Sequence, residues 1–197
     1  MSRISKLSPD QWDPELREMF AADSATQLEL GTMRMFAHRP GIAKGIIALG
    51  AGIKGDWTLS ARMMELVRLR VAYHNQCRSC LAIRYREAVE EGVSEDLVCS
   101  LQAPPEVSDL TDAEKVAIEY ADRFATNHLS IDDDVLAQMR KHFSEPQLIE
   151  LGSWIAFCVG FGRFGAVMDM VEELPEAYQQ RGDEKITPWS GEPVIVR

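Results

Sequence analysis

The sequence is short of several things that would each announce a function class. Its 197 residues hold no glycine-rich phosphate loop, no flavin or nicotinamide fingerprint, no tandem repeat and no strand-rich region. An open α/β fold is therefore disfavoured, and no cofactor is expected. Cysteine is scarce: four in a chain of this size are too few for a secreted disulfide scaffold. Positive charge is in deficit, and a formal net charge of −10 argues against nucleic acid as a partner. No block of like charge is long enough to predict a disordered tail. Residues 1–14 lack the apolar core of a signal peptide, and the most apolar stretch, 151–162, is followed by Arg163 and Asp169 before it can span a bilayer. These absences predict an acidic, cytoplasmic protein with no membrane partner and a buried core helix around 151–162.

What is present is helical punctuation. Asp13-Pro14 gives an N-cap with proline at the first helical position, and Leu16, Met19 and Phe20 follow at helical spacing. A second helix is expected over 28–38 and a third from Pro40, where Ile42, Ile46, Leu49 and Ile53 keep a period near 3.6. Ser60 caps a helix whose stripe is Met63, Leu66, Val67 and Val71, and Ser94 caps a short one over 95–100. Thr111 with Glu114, and Ser144 with Gln147, are capping boxes; the second opens a long apolar helix to about residue 171. The acids at 132–134 match a helix N-terminus better than a metal site. Beyond Pro175 the chain turns polar, with an extended WSGEPVIV, and is expected to disorder or to drape over a partner subunit.

One constellation suggests chemistry. Cys77 and Cys80 sit two residues apart after a polar Asn75-Gln76 break, and a run of helix formers follows as far as Gly92. The pair should lie in the first turn of that helix, where unsatisfied N–H groups and the positive end of the dipole favour a thiolate. At helical spacing Cys77, Cys80, Leu81, Arg84 and Ala88 share one face, which puts a cation one turn beyond Cys80. Glu65 lies on the preceding helix, and an antiparallel hairpin would fold its carboxylate back toward the thiols. Its alternative is an ion pair on its own helix, with Arg62 or Arg68. Arg163, set in an apolar helix, should either pair with a carboxylate, Asp169 and Glu65 being the candidates, or line a polar pocket. Cys99 and Cys158 read as small buried hydrophobes. A zinc site would need a second ligand pair; Cys99 has suitable spacing, but position 102 is Gln, so no metal is assigned.

Glu, eleven residues, Cys, two residues, Cys, three residues and a His is the signature of AhpD-like alkylhydroperoxidases in the carboxymuconolactone decarboxylase superfamily. Glu65, Cys77 and Cys80 match it, while Arg84 stands where the pattern has His. The resemblance is specific over about 59–101, and the stretch SEPQLIELGSWIAFCVGFGRFGAVMDM resembles the closing helix of longer members. It implies an all-α, AhpD-like helical bundle with the Cys-x-x-Cys at the N-terminus of a core helix. The whole chain would be one such domain, with a helical extension over 1–57 and a tail over 175–197. It also implies a homo-oligomer, trimer or hexamer, and a dithiol that reduces hydroperoxides with electrons from a thiol or protein donor. In that scheme Cys80 attacks, Cys77 resolves and Glu65 is the base, with Arg84 left as an electrostatic activator. The alternatives are lactone chemistry of the decarboxylase kind, and a non-catalytic redox-sensing or binding oligomer.

Overall fold

The computed structural model describes residues 2–55, 57–106, 109–179, 185–186 and 193–196. Helix α1 (Pro14–Met19) starts where Asp13 accepts the Leu16 N–H at 3.0 Å. The helix expected over 28–38 is two short ones, α2 (Gln27–Leu30) and α3 (Met33–Phe36). Gly31 parts them with a φ of +41°, and a Cβ there would lie 3.0 Å from the Leu28 carbonyl oxygen. Helix α4 (Pro40–Gly55) then packs Ala43, Ile46 and Ile47 inward with Trp12, Leu16 and Leu30, leaving Ile42 and Leu49 exposed.

The centre of the molecule is α5 (Ala61–Asn75), capped by Ser60, whose Oγ accepts the Met63 N–H at 3.1 Å. Every residue from Met63 to Leu69 is buried, so this helix is surrounded rather than amphipathic. Gln76, at φ +51°, ends it and turns the chain back. Next come α6 (Arg78–Ala82), strand β1 (Ile83–Tyr85), α7 (Arg86–Glu90) and, after Gly92 at φ +91°, α8 (Glu95–Ser100). The sequence predicts one helix from Cys77 to Gly92; the structure breaks it at Ile83.

Thr111 and Glu114 cap each other's backbone at the start of α9 (Asp112–Thr126) as the sequence implies. Asp132 caps α10 (Asp133–Met139), so the acids at 132–134 serve a helix N-terminus. Helix α11 (Glu145–Met168) packs along α5, as does α9. It is less buried than the sequence predicts. Leu151, Trp154 and Ile155 enter the core and Trp154 Nε1 donates to the Met64 carbonyl at 3.0 Å, but Ile149, Phe164 and Val167 face outward. By length and composition it is the one helix among the described residues that could cross a membrane, with a mean hydropathy of 1.4.

A short α12 (Glu176–Gln179) and strand β2 (Val194–Val196) complete the described chain. β2 pairs in parallel with β1, Ile83 against Val194 and Tyr85 against Val196. Gln76 meanwhile donates to the Ile186 carbonyl at 3.1 Å and accepts its N–H at 2.9 Å. These parts of the tail lie on their own chain; Pro188 and the segment 189–192 fall outside the described residues. Among the described residues the architecture is all-α apart from this two-stranded pairing.

Candidate functional site

Cys77 and Cys80 are joined as a disulfide, with their Cα atoms 5.2 Å apart. Cys77 is the N-cap residue of α6 and is buried; Cys80 is half-buried. Both line a cavity of about 430 Å³ whose walls include Leu28 of α2, Ile46 and Ile47 of α4, and Phe157 and Phe161 of α11. A space of that size, mostly apolar and with a few polar groups, suits a small-molecule ligand. The fit of α11 against the pair depends on two glycines. A Cβ at Gly162 would stand 2.6 Å from Asn75 Nδ2 and 4.0 Å from Cys80 Sγ, and one at Gly165 would stand 3.9 Å from Cys77 Sγ. Asn75 is fixed in turn by donating to the Cys158 carbonyl at 2.9 Å. Sequence reasoning missed these glycines; a pair spaced by three in an apolar helix was the available signal.

Glu65 is connected to the cysteine helix through an intermediary, Arg68. It is 2% exposed, and both its oxygens accept from Arg68 one turn along α5, Nε to Oε2 at 2.5 Å and Nη2 to Oε1 at 2.7 Å. The same guanidinium donates to the Cys80 carbonyl at 2.6 Å and the Ile83 carbonyl at 2.9 Å. Arg68 therefore links the carboxylate to the end of the cysteine helix and satisfies two carbonyls that a five-residue helix leaves open. Burial works against its charge, and Glu65 more than offsets it, leaving the Arg68 pKa raised. The Tyr85 N–H donates to Glu65 Oε1 at 3.3 Å. The Tyr85 ring lies 5.2 Å from the Arg68 guanidinium carbon, and burial raises its phenol pKa.

Arg84 is not where helical spacing put it. Residues 83–85 are extended, so alternate side chains point to opposite sides. Ile83 and Tyr85 line the cavity, and Arg84 turns the other way into full burial. There Nε and Nη2 pair with Glu95 at 2.9 and 3.0 Å, and Nη1 donates to the Leu81 and Ile83 carbonyls. Arg84 is an interior structural cation bonded to the Leu81 carbonyl of α6, whereas Arg68, which lines the cavity, holds the Cys80 carbonyl.

Other expectations also change. Arg163 pairs with neither Asp169 nor Glu65: its Nε donates to Asn75 Oδ1 at 2.9 Å and its Nη2 to the Ala125 carbonyl. Asp169 is taken by Arg78. Cys99 is exposed rather than buried. Cys158 lines the cavity as a free thiol, which burial pushes up to about 12. His74 Nε2 sits 2.6 Å from Asp122 Oδ1. Asp122 also accepts from Arg70 Nε at 2.6 Å. Burial alone would raise the Asp122 pKa, but the His74 and Arg70 hydrogen bonds outweigh it and hold the carboxyl below its usual value.

Residues 40–123 match the carboxymuconolactone decarboxylase family, a span that covers Glu65, the cysteine pair and Arg84. An uncharacterized Mycobacterium tuberculosis protein, strain H37Rv, is 35% identical over 88 residues, which are 44% of this chain and 31% of that one. The uncharacterized Escherichia coli protein YnjA is 27% identical over 106 residues, 54% of this chain and 58% of its own. The chain thus matches less than a third of the length of its mycobacterial relative. Among solved structures, a peroxidase-related protein of Ralstonia eutropha described as an alkylhydroperoxidase AhpD core superposes with a TM-score of 0.75. Its identity is 13%, over 90% of this chain and 94% of that one. A peroxidase-related protein of Silicibacter gives a TM-score of 0.70 at 18% identity over the same shares. At such identities the likeness is one of fold. Residues 40–123 are thus similar to the carboxymuconolactone decarboxylase family, and the fold is like that of the AhpD-like structures.

Proposed function

We propose that the protein is a thiol-dependent peroxidase in which Cys77 and Cys80 cycle between dithiol and disulfide. The observation that carries this is a bonded vicinal pair lining an apolar cavity, and the greater exposure of Cys80 than of Cys77 supports Cys80 as the attacking thiol. The Cys80 thiolate attacks the outer oxygen of ROOH. An S–O bond forms, the O–O bond breaks, and the leaving alkoxide takes a proton to become ROH. Cys77 then attacks the Cys80 sulfenic acid and expels water, closing the disulfide. Two electrons have passed to the peroxide, and a small thiol or a dithiol protein returns them by exchange, becoming a disulfide itself. Glu65 accepts the thiol proton in this scheme and Arg68 orients its carboxylate.

The exposed apolar residues of α4 and α11, Ile42 and Leu49 with Phe164 and Val167, support assembly into a homo-oligomer. A light-scattering mass equal to one 22.1 kDa chain at micromolar concentration would count against assembly.

The direct test is a stoichiometric peroxide pulse on reduced protein, followed by peptide mapping and by turnover with several thiol donors. Formation of the Cys77–Cys80 bridge with turnover supports the proposal. Loss of thiols from Cys99 or Cys158 while the pair stays reduced defeats the assignment. A reducible pair that turns over with no donor favours a redox-sensing or binding role.

A further inference from the structure

The cavity is lined by residues of α2, α4 and α11, with Tyr85 and Trp154 among its walls. Helix α4 supplies Ile46 and Ile47 to the wall. Two turns beyond Ile47, at the spacing that returns to the same face, stands Lys54. Its ammonium lies 4.4 Å from the Tyr85 ring centroid, 5.6 Å from that of Trp57 and 5.9 Å from that of Trp154. Tyr85 and Trp154 are themselves cavity residues. Among the described residues Lys54 has neither a hydrogen bond nor an ion pair; Glu87 and Glu65 act on it only through space. Partial burial pulls its pKa below the usual lysine value.

The other cations of this region are taken. Arg68 holds Glu65, and Arg34 and Lys6 hold Glu173. Beside Lys54 is a second donor without an acceptor: Trp57 Nε1 is buried and has no hydrogen-bond partner among the described residues. A buried N–H left so is unfavourable, and an ammonium over aromatic faces gains from an anion that can also hydrogen-bond.

We propose that Lys54, with the Trp57 indole N–H, forms an anchoring site for the carboxylate of an amphipathic substrate whose apolar body fills the cavity toward Cys80. Joined to the peroxidase reading, on which the identity of the reactive group rests, this names the substrate class as hydroperoxides of apolar carboxylic acids.

The test compares linoleic acid hydroperoxide with its methyl ester, below micellar concentration, on the full chain with a fixed thiol donor. The wild type should show a KM for the acid lower by about tenfold or more than for the ester, the value of a charge-assisted contact, with similar kcat. Lys54→Met should raise the KM for the acid to that of the ester and leave the ester unchanged, whereas Lys54→Arg should keep the preference. A lysine that merely supports the fold would shift both substrates together. Equal KM values in the wild type, or a preference that survives in Lys54→Met, overturn the proposal. If no hydroperoxide is turned over, the peroxidase reading fails separately. Quenching of Trp57 and Trp154 fluorescence by decanoic acid but not methyl decanoate, lost in Lys54→Met, then still upholds the anchor, and equal response to both probes refutes it.

Discussion

Glu65 and Arg68 should shift the Cys80 thiol in opposite directions when each is removed alone. In the intact site the two charges compensate each other at hydrogen-bond distance, so Cys80 faces a nearly neutral pair. Glu65→Gln leaves the guanidinium on the Cys80 carbonyl with no counter-charge. A cation that close lowers the thiol pKa by about one to three units. Arg68→Met leaves a buried carboxylate without its counter-charge instead, which raises the thiol pKa by about one unit. The stabilities should differ too. Removing Arg68 breaks a buried pair and strands both a charge and the Cys80 carbonyl, a loss of about 3–5 kcal/mol. Removing the Glu65 charge leaves Arg68 its two carbonyl partners and costs less, about 1–3 kcal/mol. Alkylation rates against pH in the Cys77→Ser background, with urea unfolding of each variant, measure both quantities. Parallel shifts in the two variants, or a Cys80 profile indifferent to both, would refute the idea that Arg68 couples Glu65 to the cysteine helix.

Arg84→Met should leave the Cys80 alkylation profile unchanged while lowering stability by about 1–3 kcal/mol in urea unfolding, because it removes an interior pair with Glu95 and the cap on Leu81. Gly162→Ala should destabilise by about 1–3 kcal/mol and slow peroxide reactivity, since its Cβ would meet Asn75 Nδ2 at 2.6 Å; wild-type melting behaviour would contradict the close fit. Alkylation of the oxidised protein near pH 8 should label exposed Cys99 well before Cys158, whose thiol is pushed up to about 12; mass mapping reads the order. Asp122 has a folded pKa held below its unfolded value of about 3.9, so its contribution is full above about pH 5 and is lost as pH falls through the folded value. Asp122→Asn should flatten the stability profile in that acid range, and an unchanged acid limb would show that the ion pairs with Arg70 and His74 contribute nothing.

Local signals were the legible ones. Asp13, Ser60, Ser94, Thr111 and Asp132 each cap a backbone N–H where the sequence places them, because an N-cap depends on three or four consecutive residues. The misread segment, 83–85, is set by non-local partners. Ile83 and Tyr85 become extended against Val194 and Val196, and Arg68 takes the carbonyls of Cys80 and Ile83 that a continuing helix would have used. No window around Cys77 contains that information. Arg84 followed the wrong period as a result, two residues per repeat having replaced 3.6. Arg68 was legible in part. A Glu and an Arg three apart within a helix that is apolar on either side had to find each other, and the sequence offered Arg68 as one of two partners for Glu65. What it did not carry was the second half of the guanidinium's bonding, across to the cysteine helix.

The pairing of β1 with β2 makes the electrical character of the cavity depend on a distant stretch of chain. A slip of one residue in β1 would exchange its two sides, bringing a guanidinium into the cavity and sending the Tyr85 phenol toward Glu95. The register is held by Val194–Val196, none of which belongs to the family-matched segment. Substitutions in the last residues of the chain could therefore retune which molecules the dithiol meets while every residue of the Glu-and-cysteine signature stays in place.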